Sequence, residues 1–477
     1  MKRKGIAGRI AALMLGVAIA QPAHAISLNE AVTVAVESNP EIGQAIENRE
    51  AIEFELRQAR GLFLPSIDLE GSVGVRRLDS PGRRLGGIAD DSLYPTEVSA
   101  VATQTLFNGG GRRAELDRQA SRVDSASFRI MERSEYIGLQ VVREYLEYLV
   151  QARIVEETRQ NLQFHRSIQS SIASGVAGGT LTEADRQQVR ERVLAAEARL
   201  KEAEEELASA KIRFLTLVGK PLDSASKPPS VAPRLPSSLD QAIGLARKNN
   251  PRVHMASADI DAADALVDAA RADFLPEISL EGRARYGDDI DGSDGYTSDL
   301  QARVVARWNL YRGGIDKANE QEQIRRASEQ RLVLHQIHRE IEEAVRSSWE
   351  RRVRQASLAS TLRQQAQENA RLVSSYREQF RVGQRSLLDV LDAQNTRFNV
   401  GVLAATAEYA SLFAEYRLLA ATGQLLSTLG VTPPKQADAY ARTEFDVPPT
   451  AATETYARMP SRQVNELPMD LLAPVRK

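Results

Sequence analysis

Residues 60–75 read RGLFLPSIDLEGSVGV, and residues 271–286 read RADFLPEISLEGRARY. Both stretches carry FLP followed by Ile, Leu, Glu and Gly at the same spacing, and Pro276 lies 211 residues after Pro65. Apolar residues recur at helical spacing up to each proline, and apolar and polar residues alternate after it. The sequence therefore predicts two places at which a helix ends and a half-buried strand begins.

An internal duplication organises the chain. LFNGG at 106–110 matches LYRGG at 310–314, and the motif Gly-x-x-Thr-x-x-Asp at 179–185 matches Gly-x-x-Ser-x-x-Asp at 383–389. Both of these matches are separated by 204 residues instead of 211, so the first copy has a longer loop between its two predicted strands. Because three motifs keep their order and spacing, we interpret the chain as one structural unit used twice.

Five segments are expected: a signal peptide at 1–25, a first repeat at 26–220, a linker at 221–237, a second repeat at 238–430, and a partly disordered tail at 431–477. The N-terminus has the basic residues, apolar block and Ala-His-Ala cleavage site of an exported protein. Cleavage leaves 58 basic against 64 acidic residues, a balance that gives no reason to expect nucleic-acid binding. The absence of cysteine excludes disulfides, thiolate metal sites and a cysteine nucleophile.

Each repeat is predicted to contain a pair of strands. The first pair lies within about 66–107 and the second pair within about 277–310. Apolar side chains lie on one face and charged side chains on the other, which suits either a soluble sheet or a membrane barrel with a wet lumen. Strand lengths of roughly ten residues favour the barrel, as do the aromatic residues at the strand ends, Tyr94, Tyr286, Tyr296 and Trp308. Four strands cannot close a barrel, so several chains must share one.

Long helical hairpins follow the strands, at about 112–218 and about 315–429. The first helix of each would be roughly 90 Å long at about 1.5 Å per residue. Leu116, Val123, Ile130 and Ile137 recur every seven residues, as in the seam of a coiled coil. The fold class predicted from the residues is therefore mixed and mainly α.

This order of signal peptide, helix, FLP strand, GlyGly corner and long hairpin, given twice, resembles the TolC family of outer-membrane factors. The most specific match is VGQRSLLDVLDAQ at 382–394. The resemblance implies a homotrimer in outer-membrane lipid, with four strands per chain in a twelve-stranded barrel and the hairpins in a periplasmic α-barrel. It further implies an exit channel that works with a periplasmic adaptor and an inner-membrane ABC or RND-type transporter, in type I protein secretion or multidrug efflux.

The hairpin tips then become the periplasmic entrance of the channel. By similarity to the family, Asp389 and Asp392 ring the constriction, and Arg385 forms a latch with Asp185 and with Phe380, where relatives can carry tyrosine. Adaptor docking and the tip turns are assigned to Gly179, Thr182, Gly383 and Ser386. Simpler interpretations stay open, because the glycines suit any turn and Thr182 with Asp185, or Ser386 with Asp389, has the spacing of a capping box.

Other classes of function have weaker support in the sequence. His335 and His338 have a spacing compatible with metal, but no third ligand is evident and a solvated helix face explains them. The sequence offers no catalytic constellation, so no enzyme activity and no cofactor are expected. A periplasmic coiled-coil adaptor or scaffold, with hairpins but no membrane strands, is the alternative function.

Overall fold

The computed structural model describes residues 26–292 and 295–451, so the expected signal peptide and residues 452–477 of the tail lie outside the described residues. The first half contains α1 (Leu28–Ser38), α2 (Pro40–Gly61), β1 (Ser66–Val73), β2 (Arg76–Arg77), α3 (Pro81–Leu85), β3 (Ser92–Leu93), β4 (Thr96–Asn108), α4 (Gly111–Ala177) and α5 (Glu183–Val218). The second half contains α6 (Leu239–Asn249), α7 (Pro251–Ala272), β5 (Glu277–Asp288), β6 (Tyr296–Arg307), α8 (Ile315–Arg381), α9 (Leu387–Ala421), α10 (Leu425–Leu429) and α11 (Ala441–Glu444). The predicted fold class, mainly α with four long strands and two long helical hairpins, is confirmed.

Asn-Pro pairs separate the two helices that open each half. Asn39 accepts a hydrogen bond from the backbone N–H of Glu41 at 2.9 Å, and Asn250 accepts one from Arg252 at 3.0 Å. Each asparagine is thus the N-cap of the second helix, while the proline after it occupies the first turn, where no N–H is needed. The break lies where the sequence predicts it.

The four long strands form one antiparallel sheet in the order β1-β4-β5-β6. Ser66 of β1 lies opposite Thr103 of β4, and Glu277 of β5 lies opposite Arg307 of β6. These two pairs are related by the separations of 211 and 204 residues found in the sequence, so both hairpins have the same register. Within residues 26–292 and 295–451, β1 and β6 are the edge strands and their outer edges are unpaired.

The two faces of this sheet differ in chemistry, as the alternation predicts. Ile67, Leu69 and Leu300 on one face are each at least 77% exposed in the single chain. On the other face, Glu281 accepts hydrogen bonds from Arg303 at 2.7 Å and from Arg307 at 2.9 Å. One face of the sheet thus carries exposed aliphatic side chains, and the opposite face carries paired charges. This arrangement suits a sheet whose aliphatic face meets lipid and whose charged face meets water.

The two long hairpins pack side by side in the order α5-α4-α9-α8. Helices α4 and α8 have 67 residues each, which corresponds to a length of about 100 Å. The predicted heptad residues Leu116, Val123, Ile130 and Ile137 are buried, but Leu116 and Val123 pack against α2 and the tail and not against the returning helix α5. Helices α5 and α8 lie at the two edges of this layer.

The largest apolar core lies where the hairpins meet α1, α10 and the linker. Three tyrosine hydroxyls tie the linker to this core. Tyr145 donates to the carbonyl of Ser226 at 2.9 Å, Tyr148 donates to Asp223 at 2.9 Å, and Tyr416 donates to Pro229 at 3.0 Å. The linker between the repeats is therefore fixed against the hairpins.

The described part of the tail, 431–451, lies against α4 and α7. Arg442 donates through Nε to Asp124 of α4 at 3.0 Å and through Nη1 to Asp261 of α7 at 2.6 Å, and all three side chains are buried. The backbone N–H of Thr450 also donates to Asp261, at 2.9 Å. These contacts join the tail to both halves of the chain.

Candidate entrance site at the hairpin tips

Each long hairpin turns through a glycine with left-handed backbone. Gly179 has φ of 75° and Gly383 has φ of 76°, and their N–H groups donate to the carbonyls of Val176 and Phe380 at 3.0 Å. A side chain at this φ is strained, so glycine ends the helix at the lowest cost. The two tips are built in the same way at positions related by the duplication.

Capping boxes begin both returning helices. At the first tip, Asp185 accepts from the N–H of Thr182 at 2.9 Å and donates its own N–H to the Thr182 hydroxyl at 3.2 Å. At the second tip, the N–H of Asp389 donates to the Ser386 hydroxyl at 3.1 Å, and the Asp389 carboxylate accepts from the N–H of Ser386 at 3.4 Å. The bonds from Thr182 lower the pKa of the Asp185 carboxyl group. Thr182, Asp185, Ser386 and Asp389 thus stabilise helix ends.

Phe380 is half-buried at the edge of the apolar core of the tips. It packs on a cluster of buried side chains contributed by α4, α5 and α9, namely Ile168, Ile172, Val189, Leu387 and Leu391. A phenylalanine ring has no hydroxyl, so Phe380 cannot make the hydrogen bond that a tyrosine hydroxyl could make at this position. Its observed contribution is to hold the two tips of one chain together.

Arg385 is held by residues of its own hairpin. Its Nε donates to the side-chain oxygen of Gln379 at 3.1 Å, its Nη1 lies 3.8 Å from an Asp389 carboxylate oxygen, and its guanidinium lies 4.3 Å from the ring centre of Tyr376. Within residues 26–292 and 295–451 of one chain, no hydrogen bond or ion pair joins Arg385 to Asp185. The predicted partner of Arg385 is therefore not brought to it inside a single chain.

Asp392 differs from the capping acids. Its side chain is 62% exposed, and the charged group nearest to it is Arg192 of α5, with an N–O distance of 3.9 Å. Among the described residues, no backbone N–H donates to its carboxylate, because Asp392 lies in the second turn of α9 and not at the helix start. Asp392 thus presents a solvent-exposed carboxylate near the tip, and this carboxylate does not cap a helix.

Sequence reasoning missed two contacts at this site. Arg385 and Tyr376 are nine positions apart in the sequence, and they stack because the turn between α8 and α9 folds back on itself. Sequence spacing does not predict the distance between the two side chains. The proximity of Arg192 to Asp392 joins residues 200 positions apart. No local spacing indicates it, because the two residues lie on different helices, α5 and α9.

Neither metal chemistry nor a helical membrane anchor is visible in the described ranges. Across residues 26–292 and 295–451, no three His, Cys, Asp or Glu side chains come together as ligands for a metal ion. Over the same ranges, no helix combines the length and the apolar character needed to cross a membrane.

A family model described as outer membrane efflux protein matches residues 31–220 and 242–424. The chain belongs to this family. Its members are outer-membrane channel proteins that extend into the periplasm, and they are not enzymes. Family membership therefore supports the predicted location and the predicted exit channel over a periplasmic scaffold.

Curated relatives of this family member serve more than one kind of export. The chain is 26% identical to the outer membrane efflux protein BepC of Brucella suis over 77% of its own length and 78% of the relative. It is 24% identical to the alkaline protease secretion protein AprF of Pseudomonas aeruginosa, over 83% of this chain and 84% of that one. It is also 26% identical to the solvent efflux pump outer membrane protein SrpC of Pseudomonas putida, over 76% of this chain and 78% of SrpC.

Solved structures agree on the fold. The outer membrane channel CmeC of Campylobacter jejuni superposes with a TM-score of 0.72 at 16% identity, covering 83% of this chain and 86% of CmeC. The outer membrane protein VceC of Vibrio cholerae gives a TM-score of 0.70 at 17% identity, covering 83% and 96%. The likeness extends over most of each chain, so the architecture is that of this family.

Proposed function

We propose that three copies of this chain form a passive exit duct, with a twelve-stranded barrel in the outer membrane and a helical barrel in the periplasm. The open edges of the single chain carry this proposal. Strands β1 and β6 end the sheet without partners in the described part of the chain, and an unpaired strand edge is costly in lipid. Helices α5 and α8 also leave apolar side chains exposed at the edges of the helical layer, among them Leu194, Ile212, Val353 and Leu358.

The hairpin tips form the periplasmic entrance in this proposal. Asp392 supplies the constriction charge, supported by its exposure and its position in the second turn of α9. Asp389 contributes as well, although it also caps its helix. A ring of carboxylates at a narrow opening favours cations over anions.

The latch and the docking surface complete the entrance. Arg385 bonds Asp185 of a neighbouring copy in the closed state, and Phe380 seats the hairpin that carries Arg385. The turn residues Gly179, Thr182, Gly383 and Ser386 lie on the tip surface, where a periplasmic adaptor has access to them. Opening then requires the tips to separate, driven by the adaptor and an inner-membrane transporter, because the duct has no energy source of its own.

Type I protein secretion through an ABC transporter is the export system that we favour over drug efflux. The stretch YREQFRVGQRSLLDVLDAQ at 376–394 resembles members of the family that work in protein secretion. AprF, a protease secretion protein by name, aligns over 83% of this chain. Efflux relatives such as SrpC align over a similar share, 76%.

Gene deletion in the native host tests this assignment. Loss of one or more proteins from the culture medium, restored by the wild-type gene, is the expected result. Unchanged secretion with increased sensitivity to solvents or drugs would place the duct in an efflux pump instead. Fractionation keeps the duct itself testable, because a heat-sensitive trimer band must appear in outer membranes and a soluble periplasmic monomer would contradict the duct.

A further inference from the structure

A cleft lies between four helices of one chain, at the point where α9 ends and α7 begins. Its volume is about 220 Å³, and its wall combines side chains of α4, α7, α8 and α9. The apolar part of the wall comes from Tyr136, Leu139, Ala344, Ala420 and Ala421. All of these residues belong to a single chain, so the cleft exists without the proposed trimer.

Glu135 of α4 brings a buried carboxyl group to this cleft. The residue is only 8% exposed, and its Oε1 accepts the backbone N–H of Leu426 at 3.3 Å. Oε2 is buried as well, but it has no hydrogen-bond partner among the described residues. Burial raises the pKa of Glu135 to about 7. A buried acceptor without a partner is costly, and a bound molecule that donates to Oε2 would remove this cost.

The other charged side chains of the cleft already have partners or contact solvent. They are Glu132 of α4, Arg252 of α7 and Arg417 of α9. The Glu132 carboxylate lies 3.4 Å from Nε of Arg133, and Arg252 donates to Glu340 at 2.6 Å. Arg417 is half-buried and keeps contact with solvent. Among the described residues that line the cleft, α8 contributes no charged side chain, and α10, which packs on Glu135, contains none.

We propose that the cleft binds a small amphiphilic cation, a primary ammonium group on a compact apolar body, with Glu135 as the counter-ion. An ammonium group has three donors and no acceptor, so it satisfies Oε2 and neutralises the carboxylate in one contact. The terminal torsion of a glutamate is broad, so the carboxylate can turn Oε2 toward the cleft. Drug-sized ligands fill about 300 to 1,000 Å³, so a cleft of about 220 Å³ fits a smaller molecule.

The position of the cleft gives such a ligand a structural consequence. The Asn250 side chain donates to the carbonyl of Ala421 at 3.4 Å, which joins the end of α9 to the start of α7. A ligand in the cleft contacts this joint and the long helices α4 and α8 at the same time. Binding should therefore raise the melting temperature of the chain as the ligand concentration increases, because only the folded chain has the cleft.

Isothermal titration calorimetry of the purified protein with three probes of similar size tests the chemistry of the site. The probes are benzylamine, benzyl alcohol and benzoate, which carry a cation, a neutral donor and an anion on the same ring. Benzylamine should bind saturably and about tenfold or more tighter than benzyl alcohol, since a hydrogen bond between charged groups adds about that factor. Benzoate should not bind. The affinity for benzylamine should also be about tenfold weaker at pH 6 than at pH 8, because a carboxyl group with a pKa of about 7 is mostly protonated at pH 6.

Three variants test the residues of the cleft. Glu135→Gln keeps the side-chain shape but removes the charge, so it should weaken benzylamine binding about tenfold or more and abolish its dependence on pH. Glu132→Gln is the matched control and should keep the wild-type affinity, because Glu132 lines the same cleft but lies beside Arg133. Ala344→Leu places a larger side chain at an exposed position of the wall, where the fold tolerates it, and should block binding.

Each contrary result overturns the proposed site. Equal affinities for benzylamine and benzyl alcohol, or unchanged benzylamine binding in Glu135→Gln, would refute the role of the carboxylate. Tighter binding of benzoate would assign the cleft to an anion held by Arg417. No saturable binding by protein shown to be folded would refute the cleft as a ligand site. It would leave the proposed duct untouched, since the duct rests on the sheet edges and the hairpin tips.

Discussion

The buried ion pairs of Arg442 give a stability prediction that the structure allows us to quantify. Arg442→Met keeps most of the side-chain volume but removes the cation shared by Asp124 and Asp261. Breaking a buried pair by removing one partner costs about 3 to 5 kcal/mol, because a charge is left buried and uncompensated. Asp124 keeps its hydrogen bonds from the backbone N–H groups of Ala441 and Arg442, at 2.8 and 3.3 Å, so we expect the lower end, about 3 kcal/mol.

Hydrogen exchange at the tail measures this loss locally. A change of about 3 kcal/mol raises the open fraction of the tail on the order of a hundredfold, so the backbone amides of α11 should exchange faster by that factor. Arg247→Met is the matched control, because Arg247 forms an exposed ion pair with Glu342 that is worth at most about 1 kcal/mol. Equal exchange rates at α11 in the two variants would refute the account of the tail as anchored by Arg442.

Three further predictions concern pH and the hairpin tips. Burial raises the pKa of Glu135 to about 7, so between about pH 4.5 and pH 7 the folded chain keeps a proton that the unfolded chain loses. The free energy of unfolding should therefore fall by about 3 kcal/mol as the pH rises through this window. Melting curves of Glu135→Gln should lack this fall, and an equal fall in the variant would contradict the role of Glu135. Asp389→Ala should destabilise the first turn of α9 by about 1 kcal/mol, measured by amide hydrogen exchange, because the turn loses its capping carboxylate. Asp392→Ala should change the stability of the same turn by less than about 0.5 kcal/mol. Equal effects of the two variants would contradict the capping role of Asp389. Arg385→Glu should enlarge the single-channel conductance by loosening the closed entrance. Arg381→Glu is the control and should leave the conductance unchanged, because it disrupts only an exposed ion pair with Glu378. Unchanged conductance in Arg385→Glu would argue against the latch.

Local chemistry made most of the architecture predictable from the sequence. Proline and glycine mark where helices end, and a change of period from helical to alternating marks the strands, so the elements follow from neighbouring residues alone. The duplication adds long-range information, because two copies of one unit must share one strand register. The seven-residue spacing of Leu116 and its heptad partners likewise predicted the buried face of α4, although not the elements that cover it, which include α2 and the tail.

Contacts that depend on three-dimensional closure could not be predicted in this way. The anchoring of the tail joins Arg442 to residues more than 180 positions away, and no local pattern indicates that pairing. The long loop of the first half contains α3, whose Arg83 donates to the carbonyls of Ile88 and Gly292, both at 2.8 Å. At the entrance, the capping-box spacing already separated Asp389 from Asp392 in the sequence, but only the folded chain shows that Arg192 of α5 lies 3.9 Å from the Asp392 carboxylate.

Single-channel recording in a planar bilayer tests the central claim, that the chain forms an exit duct whose entrance is lined by carboxylates. The wild-type trimer should give small, cation-selective steps, and Asp389→Asn/Asp392→Asn should lose the selectivity. Asp240→Asn, which removes a carboxylate in the first turn of α6, far from the tips, is the control and should keep it. Folded trimers that give no conductance, or selectivity that survives the double substitution, would contradict the account.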